Sequence, residues 1–238
     1  MRVRFLLWGL AALSCLLAGF CLYPLPGVRI AHAGGATPQG VYCNCREAFD
    51  RSYARGFRLI ETDFSTTTDG KIVLLHDWGP QYQFWFQRSK PLSHSEFTQS
   101  RVRVSYHPMD LAALVIWMGD HPKVRVVTDV KGDNLAMLQD LARTPVRERF
   151  IPQIYSADQI DPVRALGFKD VIFTNYRAHL PREKLEALLP RVWAVTVWKD
   201  EAERMPGRVF AYTVNSPLEA NLLRLKGVVG VYTDTLPP

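Results

Sequence analysis

Beyond residue 27 the chain alternates between two hydrophobic rhythms. Short runs rich in Val and Ile fall at 28–31, 57–63, 72–76, 124–131, 150–156, 171–174, 192–198, 209–214 and 229–233, each of strand length and bounded by turn residues. Helical spacing is suggested at 47–55, 110–119, 135–143, 157–166, 182–189 and 217–225. Strands alternating with helices predict an α/β fold with a parallel sheet, and this many of them predict a closed TIM-type (β/α)₈ barrel, with an open doubly wound sheet as second solution. Nine runs against eight staves leave one surplus. The stretch between Asp63 and Ile72 is too short for a crossover helix, so an irregular loop is expected there.

Residues 77–122 break the rhythm. Trp78, Tyr82, Phe84, Trp85 and Phe86 come first, then a polar segment, then an apolar helix. A long stretch of this kind in a compact domain is either a functional cap or an insertion whose aromatics pack on themselves.

The N-terminus has another character. Residues 5–23 carry no charge and follow Arg2 and Arg4; as a helix they would extend about 28 Å, close to one hydrocarbon thickness. The arginines favour a cytoplasmic N-terminus. Residues 1–27 are therefore expected to be an N-terminal membrane anchor or signal segment, and 28–238 an extracytoplasmic barrel, secreted if the segment is cleaved. The Ala31-His32-Ala33 triplet is the one clean cleavage signal. Because residues 24–27 form a short linker to the first strand, which enters a barrel from below, the opposite mouth would face away from the bilayer.

Composition adds exclusions. The 238 residues are 47% hydrophobic and 22% charged, an ordinary globular mixture. The net charge is +6, but 29 basic residues face 23 acidic ones without a basic block, so nucleic acid is not an expected partner. Cys15 and Cys21 fall in the apolar run. Cys43 and Cys45 fit neither a zinc site nor a C-x-x-C pair, and a disulfide across one residue would be strained.

The candidate chemistry gathers at strand ends. In Leu59-Ile60-Glu61-Thr62-Asp63 the two acids are two apart, and a strand projects them to one side. In Thr128-Asp129-Val130-Lys131 the same spacing aligns Asp129 with Lys131. Acids late on buried strands are costly unless paired or bound to a cation. Converging at a barrel mouth, Glu61, Asp63 and Asp129 would suit a hard divalent metal, Mg²⁺ or Ca²⁺. Alternatively, Lys131 and Arg58 neutralise them in a structural network. His32 and His76 also end strand runs, and a histidine pair suits proton transfer near neutrality. His94, His107, His121 and His179 lie in polar contexts and read as surface residues.

Those residues carry a resemblance. Ile30-Ala31-His32-Ala33-Gly34-Gly35 followed by Asn44-Cys45-Arg46-Glu47-Ala48-Phe49 resembles the opening of glycerophosphodiester phosphodiesterases, members of the phosphatidylinositol phospholipase C-like superfamily. The block 56–77, with Glu61-Thr62-Asp63, Thr68-Asp69-Gly70 and His76-Asp77, is similar to that family's most specific region. Thr128-Asp129-Val130-Lys131, Tyr212-Thr213-Val214-Asn215, Gly230-Val231-Tyr232-Thr233-Asp234 and Pro237 resemble its later motifs. The resemblance implies a (β/α)₈ barrel with a small insertion after the third strand, at 77–122, acting as a metal-dependent phosphoric diester hydrolase on glycerophosphodiesters such as glycerophosphocholine. It further implies that Glu61, Asp63 and Asp129 hold the metal, that His32 and His76 are the catalytic acid/base pair, and that Lys131 binds substrate beside the phosphate.

Three positions depart from the family pattern. Ala33 stands where Arg is usual, Cys43 where Glu is usual, and Asp129 where Glu is more common. The alternatives are a phospholipase C/D-like lipase on the same barrel, with the 78–86 aromatics dipping into lipid, and a non-catalytic membrane-tethered binding protein.

Overall fold

The computed structural model describes residues 13, 14, 16, 18–202, 205 and 207–238. Nine strands occur among them: β1 (Val28–Ala31), β2 (Leu59–Thr66), β3 (Ile72–Leu74), β4 (Arg125–Val130), β5 (Phe150–Ile154), β6 (Ile172–Thr174), β7 (Ala194–Trp198), β8 (Val209–Tyr212) and β9 (Gly230–Thr233). Beyond residue 27 the helices of four or more residues are α1 (Arg46–Arg55), α2 (Pro80–Phe86), α3 (His94–Gln99), α4 (Leu111–Asp120), α5 (Asn134–Ala142), α6 (Ile160–Ala165), α7 (Asn175–Ala178), α8 (Arg182–Leu188) and α9 (Pro217–Leu225).

Eight parallel strands close a barrel in the order β1, β2, β4, β5, β6, β7, β8, β9, with β9 pairing back onto β1. Closure brings backbones close at that seam. Gly230 lies opposite Val28, and a Cβ there would stand 2.7 Å from the Val28 Cβ, so a larger residue would push the seam apart.

The surplus strand is β3. Instead of an irregular loop, β2 continues to Thr66 and turns back antiparallel as β3, pairing Thr66 with Ile72 and Phe64 with Leu74. The insertion does follow the third strand of the chain, but that strand is a hairpin arm rather than a stave.

Each stave is buried on two faces. On β4, Val126 and Val130 pack outward beneath the helices, while Val127 joins Ile30, Ile151, Ile172 and Phe210 inside the barrel. The polar residues Glu61, Asp63 and Asp129 share that inner phase at the C-terminal ends.

The 77–122 stretch divides in two. Leu114, Trp117 and Met118 of α4 belong to the main core, so α4 is a barrel helix. Tyr82, Trp85, Phe86, Leu92, Phe97 and Val102 form a separate small core with Cys43, Cys45, Val73 and Leu75. The aromatics therefore pack on one another, as in Tyr82 against Phe86 and Phe86 against Phe97, each at 5.1 Å. Phe84, 42% exposed, is the exception.

Most of the predicted apolar segment lies outside the described residues. Among those described, no helix is long and apolar enough to cross a membrane. The C-terminal end of that segment and the residues just after it are tied to the barrel by buried Asn221 of α9, which donates to the carbonyls of Phe20 and Tyr23 and accepts from the Leu25 N–H.

Candidate active site

Strand register assembles the acids. Asp63 lies opposite Asp129 across the β2–β4 pair, and Glu61 lies two residues below Asp63 on the same face. One ligand atom from each of these three buried carboxylates falls within 4.8 Å of the others. His32 follows β1, whose Ala31 pairs with Ile60, and its Nε2 stands 4.0 Å from Glu61. His76 reaches the same place from the opposite direction, at the end of the returning β3 arm.

The electrostatics explain who neutralises whom. Lys131 Nζ bridges Asp63 at 2.8 Å and Asp129 at 2.7 Å. Burial opposes charge on Asp63, but Lys131, His76 and His32 outweigh it and hold its pKa below the ordinary value. Burial also disfavours charge on Lys131, yet the two aspartates win and raise its pKa. Glu61 has no such cation. Burial, with Asp63 adding repulsion, pushes its pKa up to about 8 despite the Ala33 N–H donated at 2.7 Å. Arg58 takes no part; its guanidinium bonds the carbonyls of Tyr53 and Phe57.

This donor set fits a divalent cation. Three carboxyl groups converge in the interior, the protein's own cations Lys131 and Arg177 pair only with the two aspartates, and a hard dication would supply the charge that lets Glu61 ionise beside them. Glu61, Asp63 and Asp129 would hold it.

Each histidine has its own carboxylate. His32 Nδ1 lies 2.8 Å from Asp234, which Asn215 holds at 2.7 Å; its Nε2 meets the Tyr212 hydroxyl at 3.0 Å. Burial works against a charged His32, but the Asp234 hydrogen bond and the surrounding carboxylates raise its pKa. His76 Nδ1 lies 2.6 Å from Asp77, whose other oxygen accepts from the Gly79 N–H that leads into α2. The Tyr42 ring stands edge-on between them, 4.6 Å from His32 and 5.1 Å from His76. His94, His107 and His121 pair elsewhere, with Asp110, Glu47 and the Trp117 carbonyl.

Sequence reasoning assigned no role to several residues here. Asn44 donates to Asp63 at 2.8 Å and accepts from the Thr62 hydroxyl and the Asp63 N–H. Cys43 and Cys45 on either side are joined by a disulfide, contrary to expectation. Asn44 at φ 49° turns the chain between them and brings their Cα atoms to 5.0 Å, inside the range a disulfide spans. The Tyr155 hydroxyl donates to Asp129, and the Arg177 guanidinium stands 3.8 Å from the same carboxylate. Asp234, Tyr212 and Asn215 did carry a signal, because they lie in the closing motifs. Tyr155 and Arg177 carried none, since a residue just after β5 and one in the short helix after β6 have no diagnostic spacing.

Comparison with known proteins bears on the fold that carries this arrangement. Residues 36–104 match the model of the glycerophosphoryl diester phosphodiesterase family. Similar solved structures include a glycerophosphodiester phosphodiesterase from Parabacteroides distasonis, at 17% identity and TM-score 0.63, covering 87% of this chain and 92% of that one. Another is that of Agrobacterium tumefaciens, at 14% and 0.65, covering 88% and 97%. A phosphodiesterase of Oleispira antarctica, in complex with the product sn-glycerol-3-phosphate, gives 14% and 0.65 over 88% and 93%. At these identities the solved structures establish the shared barrel.

Proposed function

Taking the chain as consistent with a divergent member of the glycerophosphoryl diester phosphodiesterase family, we propose that it hydrolyses glycerophosphodiesters, releasing an alcohol and glycerol phosphate with the help of Mg²⁺ or Ca²⁺. The observation that carries this reading is the convergence of Glu61, Asp63, Asp129, His32 and His76 at one barrel mouth, where (β/α)₈ enzymes keep their chemistry.

A bound dication would polarise the phosphate oxygens and offset the charge that develops on them. Among the chain's own groups, one imidazole takes the proton from the attacking hydroxyl, which belongs to water or to the substrate's glycerol. The other protonates the departing oxygen, and the carboxylates at Nδ1 fix both rings. Lys131 sets positive charge beside the phosphate. A groove of about 410 Å³ lined by Ser65, Trp78, Lys131, Asp133 and Met137 has room for the alcohol group.

The same proposal puts the barrel outside the cytoplasm, tethered by the 5–23 segment behind Arg2 and Arg4. The Cys43–Cys45 disulfide supports an oxidising compartment. The lipase alternative loses support, because Tyr82, Trp85 and Phe86 are buried.

The test is turnover of glycerophosphocholine by the full chain with Mg²⁺ or Ca²⁺, with and without chelator. Turnover should vanish with chelator and fall about 10²–10⁴-fold in His76→Ala, the span of general acid–base catalysis. Binding without turnover under either ion would make the protein a binder instead.

A further inference from the structure

A phosphodiester seated against the triad needs cationic hydrogen-bond donors that are not already spent on protein carboxylates. Lys131 is held between two of them at 2.8 and 2.7 Å. Position 33, where the family resemblance leads one to expect arginine, holds a fully buried alanine whose N–H is committed to Glu61. The geometry points to Arg177 as the residue that grips the substrate phosphate, an inference that rests on the phosphodiesterase reading.

Three features place it there. Arg177 lies in α7, directly after β6, at the same rim as the triad. Its Nη1 stands 3.8 Å from Asp129, too far for a hydrogen bond, and no closer partner occupies it among the described residues. Its side chain is 45% exposed, against 22% for Lys131, so its donors open onto the mouth.

The mount is held although the guanidinium makes no hydrogen bond among the described residues. The Cζ lies 4.3 Å from the centre of the Tyr155 ring, a cation–π platform, and Tyr155 is itself bonded to Asp129. Asn175 clamps the short helix by bonding both the N–H and the carbonyl of Leu180. Tyr176 stacks at 5.2 Å on Tyr212, which bonds His32. A planar fork fixed in this way matches two phosphate oxygens, whereas Lys131 can offer only a point charge.

The test measures binding as well as turnover. Inorganic phosphate and sn-glycerol 3-phosphate are titrated into the Mg²⁺-loaded full chain, its Arg177→Ala variant and its Arg177→Lys variant, and melting temperatures are recorded alongside. Losing charge-assisted bonds should weaken both ligands about ten- to hundredfold in Arg177→Ala. In glycerophosphodiester turnover the loss should fall mainly on KM, with Arg177→Lys recovering part of it. A wild type that binds neither ligand, or an alanine variant that melts earlier but binds both as wild type does, would overturn the assignment. Normal turnover with unchanged phosphate binding in Arg177→Ala would sink the anchor and spare the phosphodiesterase reading. Arg177-dependent phosphate binding without any turnover would do the reverse.

Discussion

The two histidines are chemically alike and structurally opposite. Each has a carboxylate on Nδ1, but His32 sits in the barrel's closing seam, 2% exposed, with both ring nitrogens engaged. His76 comes at the end of a hairpin arm, its side chain 31% exposed, and its Asp77 partner also secures the start of α2. The fold thus splits the pair between a rigid half built from β1, β8 and β9 and a half hung on the insertion's own small core. The proposed catalysis needs both, while the fold does not depend on both alike.

Substitution should separate the two. His32→Ala and His76→Ala should each lower turnover by about 10²–10⁴-fold. Removing His32 also takes the imidazole partner from buried Asp234 and leaves it the Asn215 amide alone, a loss of about 1–3 kcal/mol by the usual cost of a lost hydrogen bond to a buried charged group. His76→Ala should cost under about 1 kcal/mol, because its pair is solvated. Denaturant melts of both variants check this; equal destabilisation would erase the distinction.

A gentler perturbation sharpens the comparison from the acid side. Reducing the Cys43–Cys45 disulfide, or replacing Cys45 with Ser, frees the turn that aims Asn44 at Asp63. Turnover should fall about tenfold, the worth of roughly one well-placed hydrogen bond to a charged group, with global melting little changed because the closed loop is so short. Activity assays with and without dithiothreitol measure it. An unaffected rate would mean that Asn44 keeps its place without the clasp.

These contrasts also mark how far the sequence could be read. Period-two spacing placed Glu61 with Asp63 and Asp129 with Lys131 on a common face of each strand run, because strand geometry leaves no other choice; that the face is the inner one comes from the closed barrel. The alternation and number of elements favoured the closed barrel, with the open doubly wound sheet as the other solution they allowed. The reversal of β3 was not legible. A three-residue strand looks the same in either direction, and its pairing depends on how far β2 runs past Asp63. The disulfide was missed because spacing alone conceals the left-handed turn at Asn44. The role of α4 was hidden as well, since an apolar helix in an insertion and one on a barrel wall share one pattern. Arg177 depends on where α7 ends up, which no local pattern encodes.

The central claim is that three interior carboxylates await a dication. The most direct measurement is the melting temperature of the metal-stripped full chain from pH 5 to 9, alone and with Mg²⁺ or Ca²⁺. Glu61 titrates at about 8 in the fold against 4.5 for the ordinary group. Its protonated form therefore stabilises the fold fully below pH 4.5, and that contribution is lost as the pH rises through 8. The stripped chain should melt progressively earlier across this window. The ion should restore stability, most strongly at the alkaline end where no proton competes, and Asp129→Asn should abolish the restoration. Superimposable profiles with and without the ion, in wild type and variant alike, would contradict the account.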